Sequence, residues 1–167
     1  TAVRGVKTAG RVAKRGARGE LAVPGASVQR LTHGNDALLA ERQVITPEEI
    51  RIPCVWGHSV HAWVWRSPRV RGRGPTVLAI HGGPYAAYGW TFFHEFQMLA
   101  ARGYCVLYTN PRGSKGYGEL FATALKGRWG EADFPDVMAM LDAALARGGV
   151  DETRLGVTGG SYGGFMT

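Results

Sequence analysis

Near the end of the chain, Gly159-Gly160-Ser161-Tyr162-Gly163 forms a G-x-S-x-G run directly after the apolar stretch around Leu155 and Val157. That spacing suits a sharp strand-to-helix turn with a serine hydroxyl at its tip, the arrangement used for nucleophilic attack on a carbonyl. A side chain at either outer glycine would collide with the neighbouring strand or helix in so tight a bend. In a chain with 25 glycines the run alone is a weak signal, so its surroundings decide. Leu155 and Val157 predict a short buried strand, and Gly163 onward predicts the opening of a helix.

Acyl transfer at a serine also needs donors for the developing oxyanion, a base, and a group that orients the base. In the α/β-hydrolase plan one donor is the N–H after the nucleophile, and the other comes from the loop after the third strand. Here these are Tyr162 and the loop His81-Gly82-Gly83-Pro84, with Gly83 as its donor. That loop follows Thr76-Val77-Leu78-Ala79-Ile80, an unbroken apolar run that predicts a buried parallel strand.

The elements that must carry these loops can be read in order. Glu49 to Val55 and Ser59 to Trp65 predict a hairpin, the second strand alternating Val60, Ala62, Val64 against His61, Trp63, Trp65. A helix is expected over 91–102, stopped by Gly103, and a strand over 104–109. The glycine-rich segment 110–118 follows, then helices over 119–126 and 134–147, the latter with an apolar face that includes Met138 and Met140. Counted from Glu49, five strands precede Ser161 in an α/β domain of mostly parallel strands, with the serine after the fifth. Ahead of this domain, residues 19–30 with Pro24-Gly25 predict a hairpin, with 27–32 as its return strand and a helical turn over 37–42. The boundary is expected between Asn35 and Pro47.

The chain has 167 residues, enough for one domain with a core, and 45% hydrophobic content suits a globular protein. No apolar run reaches the roughly 18 residues of a membrane span. The net charge of +7 is uneven: Arg4, Lys7, Arg11, Lys14, Arg15 and Arg18 against Glu20 place +5 of it in residues 1–20. That segment lacks aromatic residues for stacking, and no nucleic-acid-binding fold accompanies it, so neither nucleic acid nor a membrane is expected as partner. Cys54 and Cys105 form no metal-ligand pattern and predict buried free thiols, hence a reducing, cytoplasmic compartment. His58 and His61 lack a completing carboxylate or cysteine and read as solvated or structural, and no nucleotide-binding glycine loop is present, so no cofactor or metal is expected. Ser114-Lys115 reads as a turn rather than an anion contact.

Taken together, His81-Gly82-Gly83-Pro84, Asn110-Pro111-Arg112-Gly113-Ser114-Lys115-Gly116-Tyr117-Gly118, Trp129-Gly130 with Asp133 and Asp136, Asp151 with Arg154, and Gly159 to Met166 resemble the prolyl oligopeptidase family of serine peptidases, most of all its acylaminoacyl-peptidase branch. The resemblance covers roughly residues 30–167. It implies a β-propeller ahead of an α/β-hydrolase domain, with the site facing the cavity between them. Residues 21–45 would then be the end of the propeller and its linker, and 46–167 the first part of the catalytic domain. Ser161 would attack the carbonyl of a short peptide, the Gly83 and Tyr162 N–H groups would hold the oxyanion, and Arg112 would hold its own loop. The catalytic order Ser, Asp, His places the last two after Ser161, whereas His33, His58, His61, His81 and His94 all precede it. The expectation is therefore the N-terminal part of a catalytic domain, its Asp and His in further sequence or a companion fragment, with homo-oligomerisation open. A carboxylesterase, or a fragment that serves only binding or assembly, are the alternatives.

Overall fold

A computed structural model of the chain describes residues 30–53 and 57–167. The basic segment 1–20, the hairpin expected at Pro24-Gly25 and Cys54 lie outside these residues. The chain divides into two compact units, Thr1–Gln43 and Val44–Thr167. In the first, residues 30–32 belong to no strand, and helix α1 spans Asp36–Glu41. Asp36 pairs there with Arg30 and with His33 Nδ1 at 2.9 Å.

The second unit is a five-stranded sheet of β1 (Glu48–Pro53), β2 (Ser59–Trp65), β3 (Gly74–Ile80), β4 (Cys105–Asn110) and β5 (Val150–Gly159), in the order β1-β2-β4-β3-β5. β3 runs parallel to β4 and β5, whereas β1 with β2 and β2 with β4 are antiparallel. The sheet is mixed, as the expected hairpin requires, and β2 alone runs against the other four strands, in keeping with the expectation of mostly parallel strands.

Period-two alternation sends alternate side chains of each strand to opposite faces. Ala62, Val64, Leu78, Ile80 and Leu107 join Ile50 and Ile52 on one face, where Val137, Met140 and Ala144 of α4 (Asp133–Ala146) cover them. Trp63, Trp65, Ala79, Val106 and Tyr108 take the other, under Phe96 and Ala100 of α2 (His94–Ala101). Sequestering strands on both faces explains why β4 is buried at all six of its positions.

α2 starts at His94, later than expected, because Phe93 stays extended and packs its ring on Tyr88 at 5.3 Å. It stops where Gly103, at φ +95°, lets the Gly103 and Tyr104 N–H groups bond back to Ala100 and Leu99. α3 (Glu119–Thr123) is also shorter than expected. Leu125 turns inward instead of continuing it and seats against Gly113, where a Cβ would come within 3.0 Å of Leu125 Cγ. β5 departs from expectation too: Leu155 and Val157 are 42% and 44% exposed. Among the described residues β5 pairs on one side only, and these two side chains line an open groove between β3, α4 and the C-terminal turn.

Candidate active site

Ser161 sits between β5 and α5 (Tyr162–Met166) with φ +57° and ψ −121°. It is the one non-glycine residue with positive φ among the described residues, a conformation that costs about 1–3 kcal/mol unless its surroundings impose it. The flanking glycines show how they do. A Cβ on Gly159 would run into the Gly163 carbonyl, and a Cβ on Gly163 would run into the Ile80 carbonyl and lie 3.1 Å from His81 O. The bend is thus closed on itself and pressed against the end of β3. Its first turn is sealed by Gly163 N–H donating to Gly160 O at 2.9 Å and Phe165 N–H to Ser161 O at 3.1 Å.

The loop after β3 passes against this bend: a Cβ on Gly82 would lie 3.1 Å from Gly160 O and 3.5 Å from Ser161 Cβ. Gly83 has φ +123°, and a Cβ there would meet Ala86 N at 2.9 Å, so glycine is required. Neither the Gly83 nor the Tyr162 N–H makes a hydrogen bond among the described residues.

Three ties fasten this loop to the segment after β4. His81 Nε2 lies 2.9 Å from Ser114 Oγ, Lys115 N–H donates to Ala86 O at 3.0 Å, and the Asn110 side chain exchanges two hydrogen bonds with the Tyr88 main chain at 2.7 and 2.9 Å. Ser114 is fully buried, with its hydroxyl also at Pro111 O, so Ser114 and its neighbour form a structural turn as expected. Burial holds the His81 imidazole below the usual histidine range, only partly opposed by its contact with Gly82 O at 2.8 Å. Both nitrogens of His81 are engaged, one by Gly82 O and the other by Ser114 Oγ, and no histidine hydrogen-bonds Ser161 among the described residues.

Arg112 takes the structural place expected of it. Its Nε and terminal N–H groups grip both Asp136 oxygens at 2.8 and 2.9 Å, its main-chain N–H adds a third bond at 2.9 Å, and it also reaches Ala132 O. Asp136 is 1% exposed, so the pair locks segment 110–118 to the first turn of α4 from inside. His58 Nε2 stands 3.7 Å from the same carboxylate. His61 bridges Glu49, at 2.7 Å, and the Tyr117 hydroxyl, at 3.1 Å. Among the described residues no group of three His, Cys, Asp or Glu side chains could hold a metal ion.

One arrangement is not apparent from the residue pattern. Asp133, the first residue of α4, is completely buried and accepts a hydrogen bond from the Tyr162 hydroxyl. Burial, and then that carboxylate, push the Tyr162 phenol far above its ordinary pKa, so it stays a donor. The spacing of Asp133 and Asp136 on one helical turn was the available signal. Which carboxylate meets the arginine and which the tyrosine follows only from the fold.

The sequence profile of the prolyl oligopeptidase family matches residues 90–167. The chain is 49% identical over 146 residues to an uncharacterized peptidase, YuxL, of Bacillus subtilis, covering 86% of this chain and 22% of that protein. It is 37% identical over 103 residues to acylamino-acid-releasing enzyme 1 of Oryza sativa, covering 62% of this chain and 13% of that enzyme. Among solved structures, the acylaminoacyl peptidase of Pyrococcus horikoshii superposes with a TM-score of 0.79 at 33% identity, over 83% of this chain and 23% of that one. The chain therefore spans less than a quarter of the length of these relatives. The turn at Ser161, the loops pressed on it and these likenesses agree: the chain belongs to the prolyl oligopeptidase family.

Proposed function

We propose that Ser161 is the nucleophile of a serine peptidase that cleaves short peptides of the acylaminoacyl or dipeptidyl and oligopeptide type. The observation that carries this reading is the positive φ of Ser161, imposed by glycines that admit no side chain. In the proposed reaction Ser161 Oγ attacks the peptide carbonyl while its proton passes to a histidine base oriented by an aspartate, both from sequence outside this chain. The tetrahedral oxyanion is held by the Gly83 and Tyr162 N–H groups, each contributing about 3 kcal/mol to the transition state. The amine then leaves with the proton, and water releases the acyl group from Ser161 by the same route.

The rest of the catalytic domain and a β-propeller, in the same polypeptide or as a companion fragment, complete this reading. A propeller would limit substrates to short peptides. A cytoplasmic setting belongs to it as well, supported by the free, buried Cys105. The test is the intact mass of the full-length protein after treatment with a serine-reactive fluorophosphonate, followed by peptide mapping. One adduct on Ser161, absent in Ser161→Ala together with peptidase activity, supports the reading. A protein that hydrolyses peptides but carries its adduct elsewhere refutes it, and turnover of esters without peptides transfers it to a carboxylesterase.

A further inference from the structure

The hydrogen bond between Asp133 and Tyr162 joins the turn after Ser161 to the first turn of α4. The first residue of α5 supplies an N–H proposed to meet the oxyanion, and its side chain reaches α4. α4 has fourteen residues and is pinned to the core by Val137, Met140 and Ala144. Its first turn is fixed further by Asp136, which grips Arg112 through both oxygens. The Tyr162 side chain, 2% exposed, crosses from α5 to α4. Trp129 stands edge-on to its ring at 5.0 Å, and its hydroxyl ends on Asp133. The second Asp133 oxygen accepts the Phe134 N–H at 3.1 Å, so both carboxylate oxygens are occupied without exposure to solvent.

A phenol held at both ring and hydroxyl leaves its own main chain little freedom. The N–H beside Ser161 is one side chain away from a rigid helix. We infer that Asp133 is a positioning residue for acyl transfer, acting through the Tyr162 hydroxyl to hold the Tyr162 N–H where the oxyanion forms. This rests on the assignment of Ser161 as nucleophile. A misplaced donor weakens the transition state more than the bound substrate, so the effect falls on kcat rather than KM.

The test uses the full-length protein and p-nitrophenyl acetate, with kcat expressed per active site titrated by fluorophosphonate. Removing an oxyanion donor outright costs about 10²–10³ in kcat, so displacing one is expected to cost about tenfold. Asp133→Ala and Tyr162→Phe should each lower kcat by about that factor with KM within about twofold. The double variant should fall no further than either single one, because both remove the same tie. Asp133→Asn keeps an oxygen that accepts the hydroxyl and should return kcat to within about threefold of the unaltered enzyme.

Variants that lose thermal stability but keep kcat per titrated site would reduce Asp133 to a structural role and overturn the inference. Losses that multiply in the double variant, or no recovery in Asp133→Asn, would overturn it too. If the unaltered enzyme is not labelled at Ser161, the nucleophile assignment fails first, and that result is separate from the other three.

Discussion

Gly163 and Gly164 are neighbours in the first turn of α5, and the same substitution should act on them with opposite sign. On helix propensity alone, replacing glycine by alanine should stabilise either position by up to about 1 kcal/mol. Packing decides otherwise at Gly163. A Cβ there would run into the Ile80 carbonyl oxygen, come within 2.9 Å of its carbon and lie 3.1 Å from His81 O, where carbon atoms prefer about 3.5–4.0 Å. These are main-chain atoms, and Ile80 is paired with Gly159 in the β3–β5 ladder, so neither side can yield without opening it. Overpacking of this kind costs about 3 kcal/mol, which leaves Gly163→Ala net destabilised by about 2 kcal/mol. Gly164 is exposed, its Cβ would be 3.4 Å from Gly159 O, and Gly164→Ala should gain about 0.5–1 kcal/mol. The assay is thermal unfolding of the full-length protein, followed by the fluorescence of the buried Trp63 and Trp65. The two variants should separate by about 6 °C or more. If Gly163→Ala melts at or above the unaltered protein, or both variants shift together, the close fit of the bend onto β3 is wrong.

Other substitutions probe the supports of the site. Arg112→Lys keeps the charge but cannot grip both Asp136 oxygens; leaving that carboxylate imperfectly paired should cost about 3 kcal/mol, measured by urea unfolding, and Arg112→Ala more. Tyr108→Phe strands Trp65 Nε1 and Gly89 O, which its hydroxyl joins at 3.0 and 3.1 Å, and should lower stability by about 1–3 kcal/mol in the same assay. The His81 imidazole titrates below its unfolded value, so the unfolded state takes up the proton first as the solution is acidified. Stability linked to it is complete above about pH 6.5 and is lost as pH falls through the lower folded value. A plot of melting temperature against pH should flatten over that window in His81→Gln.

The strands of this domain were readable because burial imposes a simple period. Val60, Ala62 and Val64 alternate with His61, Trp63 and Trp65 in the sequence as they do across the sheet. The glycines around Ser161 were readable because a bend that excludes Cβ atoms leaves few residues to choose from. Helix ends were less so. Phe93 and Leu125 both suit a helix locally, and each is drawn out of one by a tertiary partner, Tyr88 for the first and Gly113 for the second. Leu155 and Val157 look like core residues by composition, but exposure depends on what lies against them, which spacing does not encode. The partners of Asp133 and Asp136 were hidden for the same reason: Tyr162 and Arg112 reach the first turn of α4 from separate loops.

The strand order also bears on when the bend at Ser161 can exist. Among the described residues β5 pairs with β3 alone, and that parallel pairing brings together Leu78 and Val157, which a strand and three helices separate along the chain. Contacts of such separation form slowly, after local helices and the β1–β2 hairpin. Ile80 and His81, against which Gly163 rests, become a surface for the bend only when that pairing is made. Ser161 thus has no shaped turn during early folding. The step that pairs β5 with β3 also shapes the site, so a nascent or partly unfolded chain would not present this serine in its strained conformation.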